Sequence, residues 1–293
     1  MVKGIDVFRR YFHDFTGQYV LIGGTACDII MGSRNIDFRA TKDLDIVLII
    51  EVLSQSFTDT FIGFINDGNY KHINKGTGKS QFYRFYNPDN DSFPYMIELF
   101  SRKPGYLKSI ETRIAPIHVN DETMSLSAIL LDDHYYELLR NGVVDIDGVS
   151  VLNIKTLILY KIKAWLDLSE RRRKGESVDS KNIRKHRNDV LRLIANLDPE
   201  QHMEIQESVK KDVDVFLGNM LNENIEVRDL GIKEITIRDL VDRAESCFNT
   251  HHENCDPNLE TMRAINEIEH MEKEQEKGLV FNSVDDLLND LSE

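Results

Sequence analysis

The sequence predicts an α+β protein, with a mixed sheet flanked by helices over residues 1–150 and a helical domain over residues 151–293. Three observations predict it. Short apolar runs bordered by Gly, Pro, Asn and Asp recur through the first half, and runs of that length with those borders are strands. Amphipathic stretches with helical spacing lie between them. After Leu152 the helical period continues almost without interruption.

In chain order, Val7, Phe8, Tyr11, Phe12 and Phe15 give a helix over 5–15, which Gly17 ends. Residues 19–22 form a buried strand. Residues 24–31 start a helix with Ala26, Ile29 and Ile30 facing inward. A polar connection over 34–41 leads to a second strand over 44–50. Phe57, Phe61, Ile62, Phe64 and Ile65 mark a helix over 54–67. Strands are expected over 70–73 and 112–119. Residues 81–86 and 94–100 should form a hairpin around Asn87-Pro88-Asp89-Asn90-Asp91. A helix over 127–141 stops at Gly142, and 143–146 pairs with 149–152 across Asp147-Gly148, a strong hairpin signal. Further helices are expected over 154–168, 181–196, 199–220, 237–249, 259–277 and 283–291, with Arg171 to Lys174 in a mobile loop.

Composition narrows the class. Apolar residues make up 41% and charged residues 29%, as in an ordinary globular chain. No apolar run approaches the roughly 18–20 residues that span a bilayer, and the amino terminus lacks a secretory h-region. A cytoplasmic protein with no membrane partner is therefore expected. Three cysteines, an odd and sparse set, fit a reducing compartment without a disulfide framework. A formal charge of −14 argues against broad nonspecific nucleic-acid binding. It leaves room for a local basic surface, and residues 155–192 supply one.

The chemistry concentrates in residues 19–50. Strand side chains alternate faces, so Asp43 and Asp45 project to one side while Leu44 enters the core. Paired carboxylates at that spacing suit a hard cation such as Mg²⁺; a plain turn at the strand start would use the same residues. Upstream, Gly23-Gly24-Thr25 joins a strand to a helix. Glycines allow close approach to a phosphate, the helix start offers free N–H groups, and Thr25 adds a hydroxyl. Glu98 is a lone acid in an apolar strand and the best third carboxylate, with an ion pair to Arg84 or Arg102 as the plainer alternative. Asp28 and Asp37 are weaker candidates.

Together these residues resemble the nucleotidyltransferase superfamily related to DNA polymerase beta. In that family a glycine turn precedes an Asp-x-Asp strand, and a third acid comes from a later strand. The longer pattern, Gly23-Gly24-Thr25-Ala26 and then Arg39-x-Thr41-x-Asp43-Leu44-Asp45-Ile46, is most similar to the AbiEii-type nucleotidyltransferases. Thr25 replaces the serine of many superfamily members and keeps the hydroxyl.

The resemblance implies a nucleotidyltransferase-type sheet. It implies Asp43, Asp45 and Glu98 as catalytic and metal-binding residues, for two Mg²⁺ ions or Mn²⁺. It implies an NTP held by Gly23, Gly24 and Thr25. It extends to a lysine in an apolar helix and a basic helix with an acid. On that basis Lys161 and Lys181 contact nucleotide and Asp189 supports one of them. The implied reaction moves an NMP to an acceptor, with RNA, at a tRNA 3′ end, as the favoured acceptor. The implied setting is a toxin–antitoxin or phage-defence system with an antitoxin protein as partner. Transfer to a protein or small molecule, and a catalytically silent binding module, are the alternatives.

Other signals carry less. Residues 74–80 imitate a phosphate-binding loop but have Ile73 where the pattern needs glycine. Cys247, His251, His252 and Cys255 match no common zinc spacing. His134-Tyr135-Tyr136 reads as interface packing, and no nucleophilic triad can be placed.

Overall fold

The computed structural model describes residues 2–39, 41–71, 82–102, 129–198 and 200–250. The sequence-predicted strand over 112–119, the helices over 259–277 and 283–291, the segment 74–80 and His251, His252 and Cys255 lie outside them.

Among the described residues, six strands form one mixed sheet: β1 (Tyr19–Ile22), β2 (Asp43–Leu48), β3 (Phe82–Tyr86), β4 (Met96–Ser101), β5 (Val143–Ile146) and β6 (Val149–Leu152). Their order is β3-β4-β2-β1-β6-β5. β1 runs antiparallel to β2 and parallel to β6, whereas β2 and β4 are parallel. The predicted hairpins β3–β4 and β5–β6 are both antiparallel pairs. Of the strand expected over 70–73, Lys71 makes an isolated bridge to Tyr86.

Register divides the sheet into two unlike faces. Tyr19, Leu21, Leu44, Ile46, Leu48, Phe85, Ile97 and Leu99 fall on one face, since paired residues share a side and alternate along each strand. All are fully buried. Helices α1 (Ile5–Phe12) and α3 (Gln55–Asp67) cover that face. Phe8, Phe12, Phe57, Phe61 and Phe64 interlock with Tyr19, several edge-to-face, as at 5.3 Å and 85° for Phe8 on Tyr19. Each such pair contributes about 0.5–1.5 kcal/mol beyond its burial.

Val20, Ile22, Val47 and Phe100 belong to the other face, together with Asp43, Asp45 and Glu98. A face carrying three acids cannot be sealed like the first. Helices α2 (Gly23–Gly32) and α5 (Ile154–Arg173) stand over it and pack on each other.

Helix α4 (Asp133–Asn141) starts on the Asp132 side chain, which accepts from the His134 and Tyr135 amides, and ends at Gly142. The helical region then comprises α5, α6 (Ser180–Ile194), α7 (Glu207–Asn222) and α8 (Ile237–Phe248). Caps explain its starts. Asn153 accepts from the Thr156 amide, Asp179 from Lys181, and Thr236 forms a capping box with Asp239. Two expectations change. Helix α5 continues through Arg173, and Arg171 to Arg173 form its last turn, where cations suit the helix dipole. Helix α7 begins at Glu207, because the segment before it is tied elsewhere: Met203 N–H donates to Cys247 O at 2.7 Å, and His202 Nδ1 meets Ser246 O. No helix of the described residues is long and apolar enough to cross a membrane.

Candidate active site

The parallel register of β2 and β4 sets Asp45 directly beside Glu98 and Asp43 beside Met96. The Asp45 carboxyl is close enough to Glu98 to act on its titration, lowering its pKa. On the far side of Glu98, Arg84 occupies the register position opposite it in β3. Its Nε donates to Glu98 Oε1 at 2.6 Å, and Nη2 contacts the same oxygen. Burial pushes the Glu98 carboxyl up and the Asp43 charge adds to it; Arg84 offsets this only in part, so the pKa stays raised. The predicted ion pair with Arg84 is therefore present alongside the acidic neighbour, and Arg102 pairs with Asp133 instead.

The turn after β1 brings backbone to the same place. Gly23 adopts φ +67° as the chain passes from strand to helix α2. A Cβ there would fall 1.9 Å from Asp45 Oδ2, and one on Gly24 would fall 2.8 Å from Thr41 Oγ1. The first turn of α2, with its free N–H groups, therefore opens beside Asp45. Thr25 is placed differently from the phosphate-binding expectation. It is fully buried, and its hydroxyl donates to the Asp43 carbonyl at 2.5 Å. It holds the strand that carries the acids.

Helices α5 and α6 bring cations. Lys161 is buried, and its Nζ donates to Asp189 Oδ2 at 2.8 Å. Arg39 grips the same carboxylate through two bonds, Nε to Oδ1 and Nη2 to Oδ2, each 2.8 Å. Burial works against charge on Lys161 and Asp189. For Lys161 it is outweighed mainly by Asp189, and the ammonium pKa ends above its usual value. For Asp189 it is outweighed by Lys161 and Arg39, which hold the carboxyl well below the usual range. Burial also pushes the Cys27 thiol up to about 11, and burial with Lys161 and Lys185 nearby keeps the His186 imidazole neutral.

A cavity of about 80 Å³ lies between the two halves. Gly23, Gly24, Asp45 and Glu98 line it, with Lys161, Lys185 and His186 from the helices and Arg39, which also lies against Gly24. Ile22, Phe100, Leu157 and Tyr160 supply apolar wall. The structure thus brings together Gly23, Gly24, Asp45, Glu98 and Lys161. Asp43 stands at the strand entrance, and Asp189 stands behind Lys161. Lys181 is exposed on the first turn of α6 and is not among the residues lining the cavity; Lys185, one turn on, is. Sequence reasoning assigned no individual role to Arg39, Lys185 or His186, although the last two belong to the basic stretch 155–192. Arg39 lay inside the quoted pattern, so its place before the acidic strand was the available signal.

No family model matches the chain, and no curated protein matches it. Among solved structures, the chain is similar to the crystal structure of an antigenic nucleotidyltransferase-like protein from Paracoccidioides brasiliensis. The identity is 16% and the TM-score 0.41, over 84% of this chain and 95% of that one.

The donor set of the site is all oxygen on the acidic side, which suits Mg²⁺ or Mn²⁺ rather than a thiophilic metal. Among the described residues, no three His, Cys, Asp or Glu side chains converge as a ready metal cluster. What the site does have is an excess of closely spaced acid, relieved in part by Arg84. A divalent cation would relieve the same excess, so the residues fit one.

Proposed function

We propose that this protein is a nucleotidyltransferase that moves an NMP from an NTP to an acceptor hydroxyl, with release of pyrophosphate. The observation that carries the reading is the in-register pair Asp45 and Glu98, with the Gly23 turn against Asp45 and Lys161 across the cavity. Asp43, Asp45 and Glu98 are the residues that would hold magnesium, two ions in the fullest form, supplying Lewis-acid charge at the phosphoryl oxygens.

The remaining roles belong to the chain itself. Gly23 and Gly24 let backbone amides meet the triphosphate closely. Lys161, kept charged by Asp189, offsets phosphate charge. Glu98 completes the set of acids or accepts the hydroxyl proton. The acceptor oxygen then bonds to the α-phosphorus as the bond to the pyrophosphate oxygen breaks. Residues 1–150 act as the catalytic domain and residues 151–293 as a helical domain that completes the cleft.

The finer reading follows the resemblance of Arg39 to Ile46 to the AbiEii pattern. RNA, at tRNA 3′ ends, is the acceptor, and the protein is the toxin of a cytoplasmic toxin–antitoxin or phage-defence pair. Purified protein incubated with each labelled NTP, Mg²⁺, total RNA and cell protein tests both levels. Labelled RNA that disappears in Asp45→Asn supports the proposal. Label on protein alone would replace the acceptor, and no label with any NTP would overturn the activity.

A further inference from the structure

The cavity of about 80 Å³ is far smaller than the roughly 300–1,000 Å³ of sites that hold small organic ligands. A triphosphate enters it only if part of the lining moves. Most of the lining is fixed. Asp45 and Glu98 stand on paired strands, Leu157 and Lys161 are buried, and the Tyr160 hydroxyl donates to Tyr135 O at 2.8 Å. Arg39 differs. It comes from the connection over 33–42, whose described residues form neither helix nor strand, and its side chain is 25% exposed. Its guanidinium also lies where phosphate would sit: a Cβ built on Gly24 would fall 3.2 Å from Nη2.

The partners of Arg39 are arranged for an exchange. Its fork is engaged by Asp189, with Nε on Oδ1 and Nη2 on Oδ2, each at 2.8 Å. A guanidinium fork matches phosphate as well as carboxylate. Asp189 keeps partners when the fork leaves. Lys161 Nζ holds Oδ2 at 2.8 Å, and Nη1 of Arg192 stands 3.9 Å from Oδ1, the oxygen that Arg39 Nε occupies. An approach of about 1 Å would turn that contact into a hydrogen bond. Arg192 is anchored at the same time through Nε, which donates to Leu230 O at 3.1 Å. A buried carboxylate stripped of its partners is costly. With two cations still beside it, Asp189 releases a third without that penalty.

We infer that Arg39 is a substrate-binding residue that exchanges partners: it leaves Asp189 for the triphosphate beside Gly24, and Arg192 closes onto the vacated Asp189 oxygen. The inference rests on the transferase reading for the identity of the anion, and its test needs no turnover. Calorimetric titration of the full chain with inorganic tripolyphosphate in millimolar Mg²⁺ reads binding of the part common to every NTP. Arg39→Met should weaken that binding about 10-fold, as charge-assisted bonds to phosphate are lost. Arg192→Met should weaken it about 2- to 10-fold, although Arg192 is not among the residues lining the cavity. In the Arg39→Met background, where nothing is exchanged, Arg192→Met should have no further effect. Should Arg39→Met fail to fold by circular dichroism, Arg39→Lys keeps the charge and loses the fork; it should still weaken binding and shrink the Arg192→Met effect. Unchanged binding in the Arg39 variants, or an equal effect of Arg192→Met in both backgrounds, would overturn the exchange. Arg39-dependent tripolyphosphate binding by a protein that labels nothing with any NTP would uphold Arg39 and remove the transferase. Labelling by a protein whose Arg39 variants bind tripolyphosphate as wild type does would keep the transferase and overturn the exchange.

Discussion

Gly23 and Asp45 are in such close approach that any side chain at residue 23 would occupy the position of the Asp45 carboxylate: an added Cβ lies 1.9 Å from Oδ2. The positive φ of Gly23 adds a second objection to substitution. Left-handed geometry costs an L-residue about 1–2 kcal/mol. Gly23→Ala should therefore lower stability by at least that amount in urea titration. It should also remove nucleotide transfer, because Asp45 must turn away. A variant that keeps wild-type activity would show that Asp45 does not need its present position.

Thr25 supports the other aspartate through main chain. Thr25→Val keeps the shape and removes the donor to the Asp43 carbonyl, a part-buried contact. The expected cost is about 0.5–1.5 kcal/mol, the net worth of one hydrogen bond. Thr25→Ser should restore most of it, along with transfer activity. Equal loss in both variants would mean that the methyl packing matters and the hydroxyl does not.

Asp189 serves Lys161 and Arg39 at 2.8 Å, with Arg192 farther off at 3.9 Å, whereas among the described residues Lys161 has one acid. Removal of Asp189 leaves Lys161 and Arg39 facing each other in a buried place; removal of Lys161 leaves Asp189 with the Arg39 fork intact. Asp189→Ala should cost about 3–5 kcal/mol, the usual loss on breaking a buried pair, and Lys161→Met distinctly less. NTP binding, read by calorimetry, should nevertheless fall in Lys161→Met, because that side chain lines the cavity. Lys181→Ala, on the exposed first turn of α6, should leave both readouts near wild type.

The sequence disclosed what depends on short spacing. Asp43 and Asp45 declare a shared face through the two-residue period, and Gly23-Gly24 declares a strand-to-helix turn. The hairpins at 87–91 and 147–148 were legible from turn residues. Glu98 was legible as an anomaly, an acid in an apolar strand. Its place beside Asp45 was not, since nothing local states that β2 and β4 are parallel neighbours. Long-range pairing hid the rest. Arg39 and Asp189 are 150 positions apart, and the clamp they form exists only once α5 and α6 are packed. Thr25 was misplaced for a related reason. A hydroxyl beside two glycines suits a phosphate, and only the fold turns it toward the Asp43 carbonyl.

The acid pair should write itself into the pH dependence of stability. Glu98 has a raised pKa in the folded chain, through burial and then the Asp43 charge, despite Arg84. Between the ordinary glutamate value of about 4.3 and that raised value, the folded protein holds a proton that the unfolded chain releases. Its contribution is thus complete below the ordinary value and is lost as pH rises through the folded value. Asp189 acts oppositely. Its depressed pKa gives stability present above the ordinary aspartate value and lost as pH falls toward the folded one. The two windows lie on different sides of about pH 4, so they can be separated. Urea titrations from about pH 3 to about pH 8 should show Glu98→Gln flattening the loss at higher pH while leaving the acid limb in place. Millimolar Mg²⁺ should stabilise wild type more at about pH 8 than at about pH 5, since the cation competes with the proton that burial favours on Glu98. Asp45→Asn should abolish that difference. Equal Mg²⁺ effects at both pH values, or one that survives Asp45→Asn, would place the cation elsewhere.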